Sequence, residues 1–468
     1  MDDVSDDFRS VMASVDRRGR RKWVYVHIVP GIWRRRRLVV AYLITALVIA
    51  LPHLRIAGRP VLCIDFPHSQ YTVLGQVFWP QDLSYLLLLL LMAIIGTLLA
   101  VSLVGRVFCG WLCPHNALLE FIFRPIEELL EGPAHRRIRQ DHAGLHPGLI
   151  LRKLVKWALF LLVCMTLASA VAALFTGADA MVGGIHIDAA EHPGGALFAG
   201  LLTAAMLFNF AWFREQTCTI VCPYGRLQAA MLDRHSLVPA YDARRGEPRG
   251  KAAKSAAAEA PAALGDCVDC KLCVSVCPTA IDIRNGSQLE CINCLACIDA
   301  CDGVMAKLGR PAGLIAYRSE NQLSGQPRQV LRPRTLIYGA VLAVLLAVSA
   351  IRIGSRTDLQ VMRLRVGAMP SLVRDAAGNQ LVRQDLTLSV INRTGDEQRV
   401  TFGLPDDLGA SLHLVEPVVV LGPNQRREIT PTVDIPEQRL HGSDRATILS
   451  ITSSSGTHVD LPITLRAP

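Results

Sequence analysis

Five stretches of the chain stay apolar long enough to cross a bilayer: about 38 to 55, 83 to 105, 154 to 175, 196 to 213 and 335 to 353. A crossing helix needs about 17–25 such residues. The second, LSYLLLLLLMAIIGTLLAVSLVG, is the plainest because it carries no charge. From about residue 358 the period changes. Runs such as LTLSVIN, RVTFGL, REITPTVDI, ATILSIT and DLPITL alternate apolar and polar positions between turn residues, which predicts an antiparallel β-sandwich of immunoglobulin-like kind. Between the fourth and fifth stretches neither period holds, and KAAKSAAAEAPAA at 251 to 263 reads as linker.

Charge gives these elements a direction. Lys and Arg crowd 17 to 37, 106 to 156 and 214 to 254, while 56 to 82 and 176 to 195 carry few. Cytoplasmic loops collect such residues, so the N-terminus faces the cytoplasm and the C-terminal β-domain lies outside. The formal charge of +9 does not point to nucleic acid, because the basic runs sit beside apolar stretches. An apolar content of 51% and a mean hydropathy of +0.32 fit a membrane portion. About forty residues precede the first apolar run and no small-residue cleavage site follows it, so no cleaved signal is expected.

The expected organisation is a basic cytoplasmic N-terminus (1–37), a four-helix membrane domain (38–230) and a linker (231–263). A dicluster ferredoxin-like α+β domain (264–310), a connector (311–334), a fifth membrane helix (335–353) and the all-β domain (358–468) follow.

Eight of the 14 cysteines fall between 267 and 301, and none lies beyond 301. That clustering argues for metal ligation in a reducing compartment rather than a disulfide framework. CVDCKLCVSVCP at 267 to 278 and CINCLACIDAC at 291 to 301 each have C-x2-C-x2-C-x3-C spacing. In a two-cluster ferredoxin the tight loop supplies three thiolates and the fourth cysteine reaches the other cubane. The spacing assigns Cys267, Cys270, Cys273 and Cys301 to one 4Fe-4S cluster, and Cys291, Cys294, Cys297 and Cys277 to the second. Zinc ribbons use two C-x2-C pairs with a longer gap and have no use for the fourth cysteine. Pro278 follows the first run, whereas Asp302 takes the equivalent place after the second, which changes a turn and no ligand.

RVFCGWLCPHNALLE at 106 to 120 and EQTCTIVCPYGRLQ at 215 to 228 form a second, duplicated signal, each just past a membrane hairpin. Cysteines at i and i+4 share one face of a helical turn, and proline after the pair suits a helix start. Cys109, Cys113, Cys218 and Cys222 could converge on one site holding Cu(I) or a third iron–sulfur centre, against the alternative of buried thiols that only pack helix ends. His115 is a candidate extra ligand. Asp179, Met181, His186, Asp188, Glu191 and His192 read as an ordinary solvated loop, Met362 and Met369 as core or chance, and Cys63 and Cys164 as unpaired small apolar residues. Neither a cluster of membrane histidines for haem nor a glycine-rich nucleotide motif stands out.

FWPQD at 78 to 82, CGWLCP, CTIVCPYGRLQ, YDARRGEPRG at 241 to 250, GDCVDC, CPTAIDIRNG and the CIDACD run together resemble the CcoG family, also called FixG or RdxA, of cbb3-type cytochrome oxidase accessory proteins. The likeness covers most of the chain. His115 and Asn116 stand where Gln and Thr are expected, and the alanine-rich linker is lengthened. The resemblance implies a bacterial inner-membrane cupric reductase, with copper as substrate. Its clusters would store electrons that turn Cu(II) into Cu(I) for the haem-copper oxidase, and the C-x3-C-P thiols would contact copper. It also implies partners among copper chaperones or transporters and oxidase-assembly components, and leaves a homodimer open. Two other readings stand beside it. One is a membrane ferredoxin subunit exchanging electrons with quinol or a protein partner, and the other a non-enzymatic assembly scaffold.

Overall fold

The computed structural model describes residues 20–56, 58–66, 69–143, 147–250, 264–365, 369–374, 379–405, 408–440 and 444–467. The alanine-rich stretch 251–263 and the start of the basic N-terminal run lie outside them. The chain divides into two units, one up to Ala347 and one from Val348.

Five helices in the described residues are long and apolar enough to span a membrane: Ile32–His53, Leu83–Val104, Pro147–Thr176, Pro193–Phe213 and Pro333–Gly354. The first and third begin well before their apolar windows, because a helix continues through charged turns that have somewhere to go. Arg37 Nε donates to the Gly110 carbonyl at 2.9 Å, and the Arg34 backbone N–H donates to Asp299 at 2.8 Å. Lys156 pairs with Glu131 at 2.7 Å. The third and fourth spans meet through Ala168, Ala172, Ala173 and Ala199, all buried. Such small residues let helix backbones approach closely where no aqueous hydrophobic effect drives them together. Their far ends carry a three-stranded antiparallel sheet, Leu62–Asp65, Gln70–Val73 and Gln76–Phe78, in a stretch that looks like plain loop in sequence.

The cysteine-rich region is built on two short helices, Leu272–Ser275 and Ala296–Lys307, and one antiparallel strand pair. Its strands, Val238–Tyr241 and Ile315–Arg318, come from the stretches read as linker and connector. Four residues apiece are too few to show a period, so sequence bounds of 264–310 leave them out. They are needed because Tyr241 and Ile315, opposite each other in register, close a core with Ile283, Leu295, Ile298 and Met305.

After the last turns of the fifth span, which end at Gly354, the second unit is built of antiparallel sheets in the orders Leu359–Arg365/Thr387–Asn392/Arg426–Ile429, Ser371–Arg374/Gln380–Asp385/Thr432–Pro436/Ser411–His413 and Val418–Leu421/Gln398–Gly403/Arg445–Ser453/His458–Leu465. Alternation explains much of its core, since Val419 and Leu421, and Leu449 and Ile451, are buried at period two, whereas Thr387–Asn392 is buried at every position from Leu388 onward.

Candidate functional site

The eight clustered cysteines line two cavities. Cys267, Cys270, Cys273 and Cys301 surround the first, together with Tyr241, Met305 and Leu314. Cys277, Cys291, Cys294 and Cys297 surround the second with Thr279, Ile281 and Ile292, and Cys273 touches both. The two runs share one backbone device. Asp269 and Lys271 flank Cys270 with φ of 48° and 56°, and Asn293 and Leu295 flank Cys294 with φ of 54° and 62°. Successive left-handed residues curl the chain and turn its N–H groups inward, which makes the concave, anion-holding nest found at iron–sulfur sites.

Burial pushes the Cys273 thiol up to about 11 and those of Cys291 and Cys301 to about 12. Left bare, such thiols stay protonated in apolar walls. A metal–sulfur core that displaces the protons fits this donor set, because thiolate ligands are what iron–sulfur cubanes take. Among the described residues no three of His, Cys, Asp and Glu converge on a single-ion site, and Cys109, Cys113, Cys218 and Cys222 do not form one either.

The two C-x3-C-P motifs share the same succession of backbone features. A residue with positive φ, Gly105 at 64° and Arg214 at 52°, ends the preceding membrane helix four positions before the first cysteine. A π-helical turn follows, Phe108–Leu112 and Thr217–Val221. It is closed by the N–H of Cys113 on Phe108 and of Cys222 on Thr217, both at 2.8 Å. Each second cysteine then sits extended, with ψ of 117° and 108°, immediately before a helix whose first residue is proline. The four thiols lie within electrostatic reach of one another. Burial raises the Cys218 thiol to about 12. Cys109 donates to Gln228 Oε1 at 2.9 Å and meets Arg106 Nη2 at 3.9 Å.

His115 does not join them. Its Nε2 donates to the Arg214 carbonyl at 3.2 Å, Asn209 donates to its Nδ1 at 3.0 Å, and its ring stacks on Phe210. Burial lowers it to about 4, so it is a neutral packing residue. Cys164 lies in the apolar cluster of Phe123, Phe160 and Phe210. Asp179 pairs with Arg55 at 2.9 Å and Asp188 caps Ala190, the behaviour of the solvated loop expected there.

The first motif packs directly on the second cysteine cavity. A Cβ on Gly110 would lie 2.5 Å from the Ile292 carbonyl and 2.7 Å from that of Asn293, both between Cys291 and Cys294. Arg106 joins three pieces: it meets Cys109, donates to the Leu289 carbonyl and lies 3.1 Å from where a Cβ on Gly225 would stand, in the second motif. Sequence reading missed this residue and also a buried ionic network beside it. Glu127 takes a bidentate bond from Arg214 at 2.5 and 3.0 Å and another from Arg137 at 2.7 Å. Arg124 joins Glu120 and Glu215 and reaches the Pro278 carbonyl at 3.4 Å. The only trace in sequence is the i,i+4 spacing of Glu120 and Arg124.

Residues 213–320 match the family described as 4Fe-4S dicluster domain, and residues 85–137 match one described as 4Fe-4S binding domain. The chain is 38% identical over 306 residues to nitrogen fixation protein FixG of Rhizobium meliloti (strain 1021), a match spanning 64% of this chain and 57% of FixG. It is 30% identical to protein RdxA of Cereibacter sphaeroides over 74% of this chain and 73% of RdxA. With protein RdxB of the same organism it shares 34% identity over 75% of this chain and 74% of RdxB.

Proposed function

We propose, from the premise that this chain belongs to the FixG/RdxA family, that it is an iron–sulfur electron-transfer protein that reduces Cu(II) to Cu(I) for assembly of a cbb3-type cytochrome c oxidase. The observation that supports this most is the seating of Gly110 on the loop between Cys291 and Cys294. It packs the turn between Cys109 and Cys113 against the backbone of the loop that carries two cysteines of a dicluster cavity.

In this reading Cys267, Cys270, Cys273 and Cys301 hold one 4Fe-4S cluster, and Cys277, Cys291, Cys294 and Cys297 the other. When bound, each cluster supplies one-electron chemistry at a potential set by its hydrogen bonds, charge and exposure. The chain's own residues do the rest. Cys109, Cys113, Cys218 and Cys222 offer thiolates, which favour Cu(I) over Cu(II) and so pull the reduction forward. A pair of thiolates is a sufficient donor set for that ion. Arg106 links Cys109 to the loop of the second cavity, and the apolar side chains Ile281, Ile292 and Leu295 line that cavity. The dicluster domain would face the cytoplasm of a bacterial inner membrane, and the immunoglobulin-like C-terminal domain the periplasm. Partners would be copper transporters or chaperones and oxidase-assembly components.

The test is anaerobic reoxidation by Cu(II) of the purified full chain after dithionite reduction. Copper should restore the oxidised cluster spectrum, and Cys109→Ala with Cys113→Ala should slow that at least tenfold while leaving cluster absorbance intact. Failure of copper to reoxidise the wild type would remove the function, and unchanged kinetics in the variant would remove these thiols from it.

A further inference from the structure

We propose that a cavity at the ends of the third and fourth spans binds a membrane quinol, and that this quinol is the electron donor to the dicluster domain. The inference rests on the reading of that domain as a holder of redox clusters. The cavity, of about 300 Å³, lies where the two spans reach the side carrying the C-x3-C-P motifs. Its walls include Trp157 of the third span, Trp212 of the fourth, and Trp23 and Tyr25 from the N-terminal segment. Trp157 and Trp212 are half exposed, at 47% and 50%. Indoles at such a boundary, beside Lys153 and Lys156, mark headgroup depth. A ligand can therefore enter sideways from the bilayer.

The chemistry of the lining selects the occupant. Arg21 lies over one face of Trp23 and of Trp212, at 4.3 and 5.1 Å, and Arg137 over Tyr25 at 5.9 Å, so the rings are braced from one side; Trp157 and the remaining faces suit a planar ring, and polar groups at the far wall suit its two oxygens. Every cation there already has a carboxylate: Arg137 on Glu127 at 2.7 Å, Lys156 on Glu131 at 2.7 Å and Lys153 on Asp141 at 3.6 Å. Among the lining residues themselves three acids balance three bases, and the two further cations beside them are also paired, Arg21 with Glu215 at 3.5 Å and Arg214 with Glu127 at 2.5 Å, so the wall holds no unpaired cation aimed at a lipid phosphate. A neutral ring carrying hydroxyl groups fits this set of partners better than an anion does.

The cavity is also wired to the dicluster domain. Glu127, one of its walls, is held by Arg214; Arg214 meets Glu215 at 3.8 Å, Glu215 meets Arg124 at 3.7 Å, and Arg124 reaches the carbonyl of Pro278, next in sequence to Cys277. Arg124, Arg214 and Glu215 are each at most 2% exposed. One quinol that becomes quinone releases two electrons and two protons. The two one-electron centres of the dicluster domain accept one electron each. The protons pass to the carboxylates of Glu131 and Asp141, and exposed Asp141 gives them to water.

The test uses the purified full chain without copper, in detergent free of added lipid. A short-chain benzoquinol or naphthoquinol should bleach the oxidised clusters, and the matching quinone should quench tryptophan emission in a saturable way. Glu131→Gln should slow the bleaching at least tenfold, and Trp212→Leu at the rim should weaken the quenching, while dithionite still reduces both variants fully. Bleaching by neither quinol, or wild-type rates and quenching in both variants, overturns the proposal. So does quenching that phosphatidylglycerol abolishes and excess quinone cannot restore, which would mark a lipid site. Because copper is absent throughout, failure here is separate from failure of copper to reoxidise dithionite-reduced protein.

Discussion

Gly110 lies so close to Ile292 that a Cβ on it would fall 2.5 Å from the Ile292 carbonyl oxygen. That oxygen is backbone, flanked by Cys291, and cannot rotate away as a flexible side chain would. Gly110→Ala must therefore displace the loop that carries two cysteines of the second cavity. The expected result is loss of more than half of the iron from that site, with the other retained, read by iron analysis and by spin integration of the reduced protein. Gly303→Ala is the control, because a Cβ there meets nothing within 4 Å; it should leave iron unchanged and add about 0.5–1 kcal/mol to its helix.

Cys301 belongs in space with the run that begins at Cys267, and Cys277 with the run that begins at Cys291. Substitution by serine tests that crossing. Cys301→Ser alone and combined with Cys267→Ser should each cost one cluster. Cys301→Ser combined with Cys277→Ser should cost both. Equal iron in the two double variants would mean that each run serves its own cavity.

This crossing was expected from spacing, since eleven residues of chain carry all four donors in each run and leave the last one turned away. The membrane helices were legible for the same kind of reason, a long apolar run having few alternatives. Their starts were less so: Arg37 and Lys153 look like residues that end a window, yet each finds a partner, in Gly110 and Asp141, and the helix runs through them. The network of Glu127 and Arg214 was invisible because its members lie 87 residues apart and look like ordinary charge at membrane edges. Sequence also gives no sign that the C-x3-C-P turns are π rather than α, since nothing in their composition distinguishes the two.

Arg106 is a buried cation, 3% exposed, that contributes electrostatically to both Cys109 and Cys291. Adding an electron makes a cluster more negative, so a nearby fixed positive charge stabilises the reduced form and raises the potential. Arg106→Gln should lower the midpoint of the cluster at Cys291 by on the order of one tenfold change in equilibrium, ~59 mV for one electron. Arg106→Lys should restore part of that shift. An unmoved midpoint in a fully loaded Arg106→Gln protein would limit Arg106 to packing.

Glu127 supplies the pH dependence that is easiest to isolate. Burial alone would raise its carboxyl, but Arg214 and Arg137 outweigh burial and hold it down to about 2, against an ordinary 4.5. A depressed folded value means that the carboxylate stabilises the fold fully above about 4.5, and that this stabilisation is lost as pH falls toward 2. A shift of that size corresponds to about 3 kcal/mol, and Glu127→Gln also leaves two guanidinium groups buried without their partner, a loss of about 3–5 kcal/mol. In detergent, the unfolding midpoint of Glu127→Gln should fall well below wild type at neutral pH. The gap should then narrow as the pH drops below about 4.5, because the carboxyl of the unfolded wild-type chain takes up a proton there while the folded one does so only near 2. A gap that stays constant down to pH values near the folded pKa would show that Glu127 stabilises by shape rather than by charge.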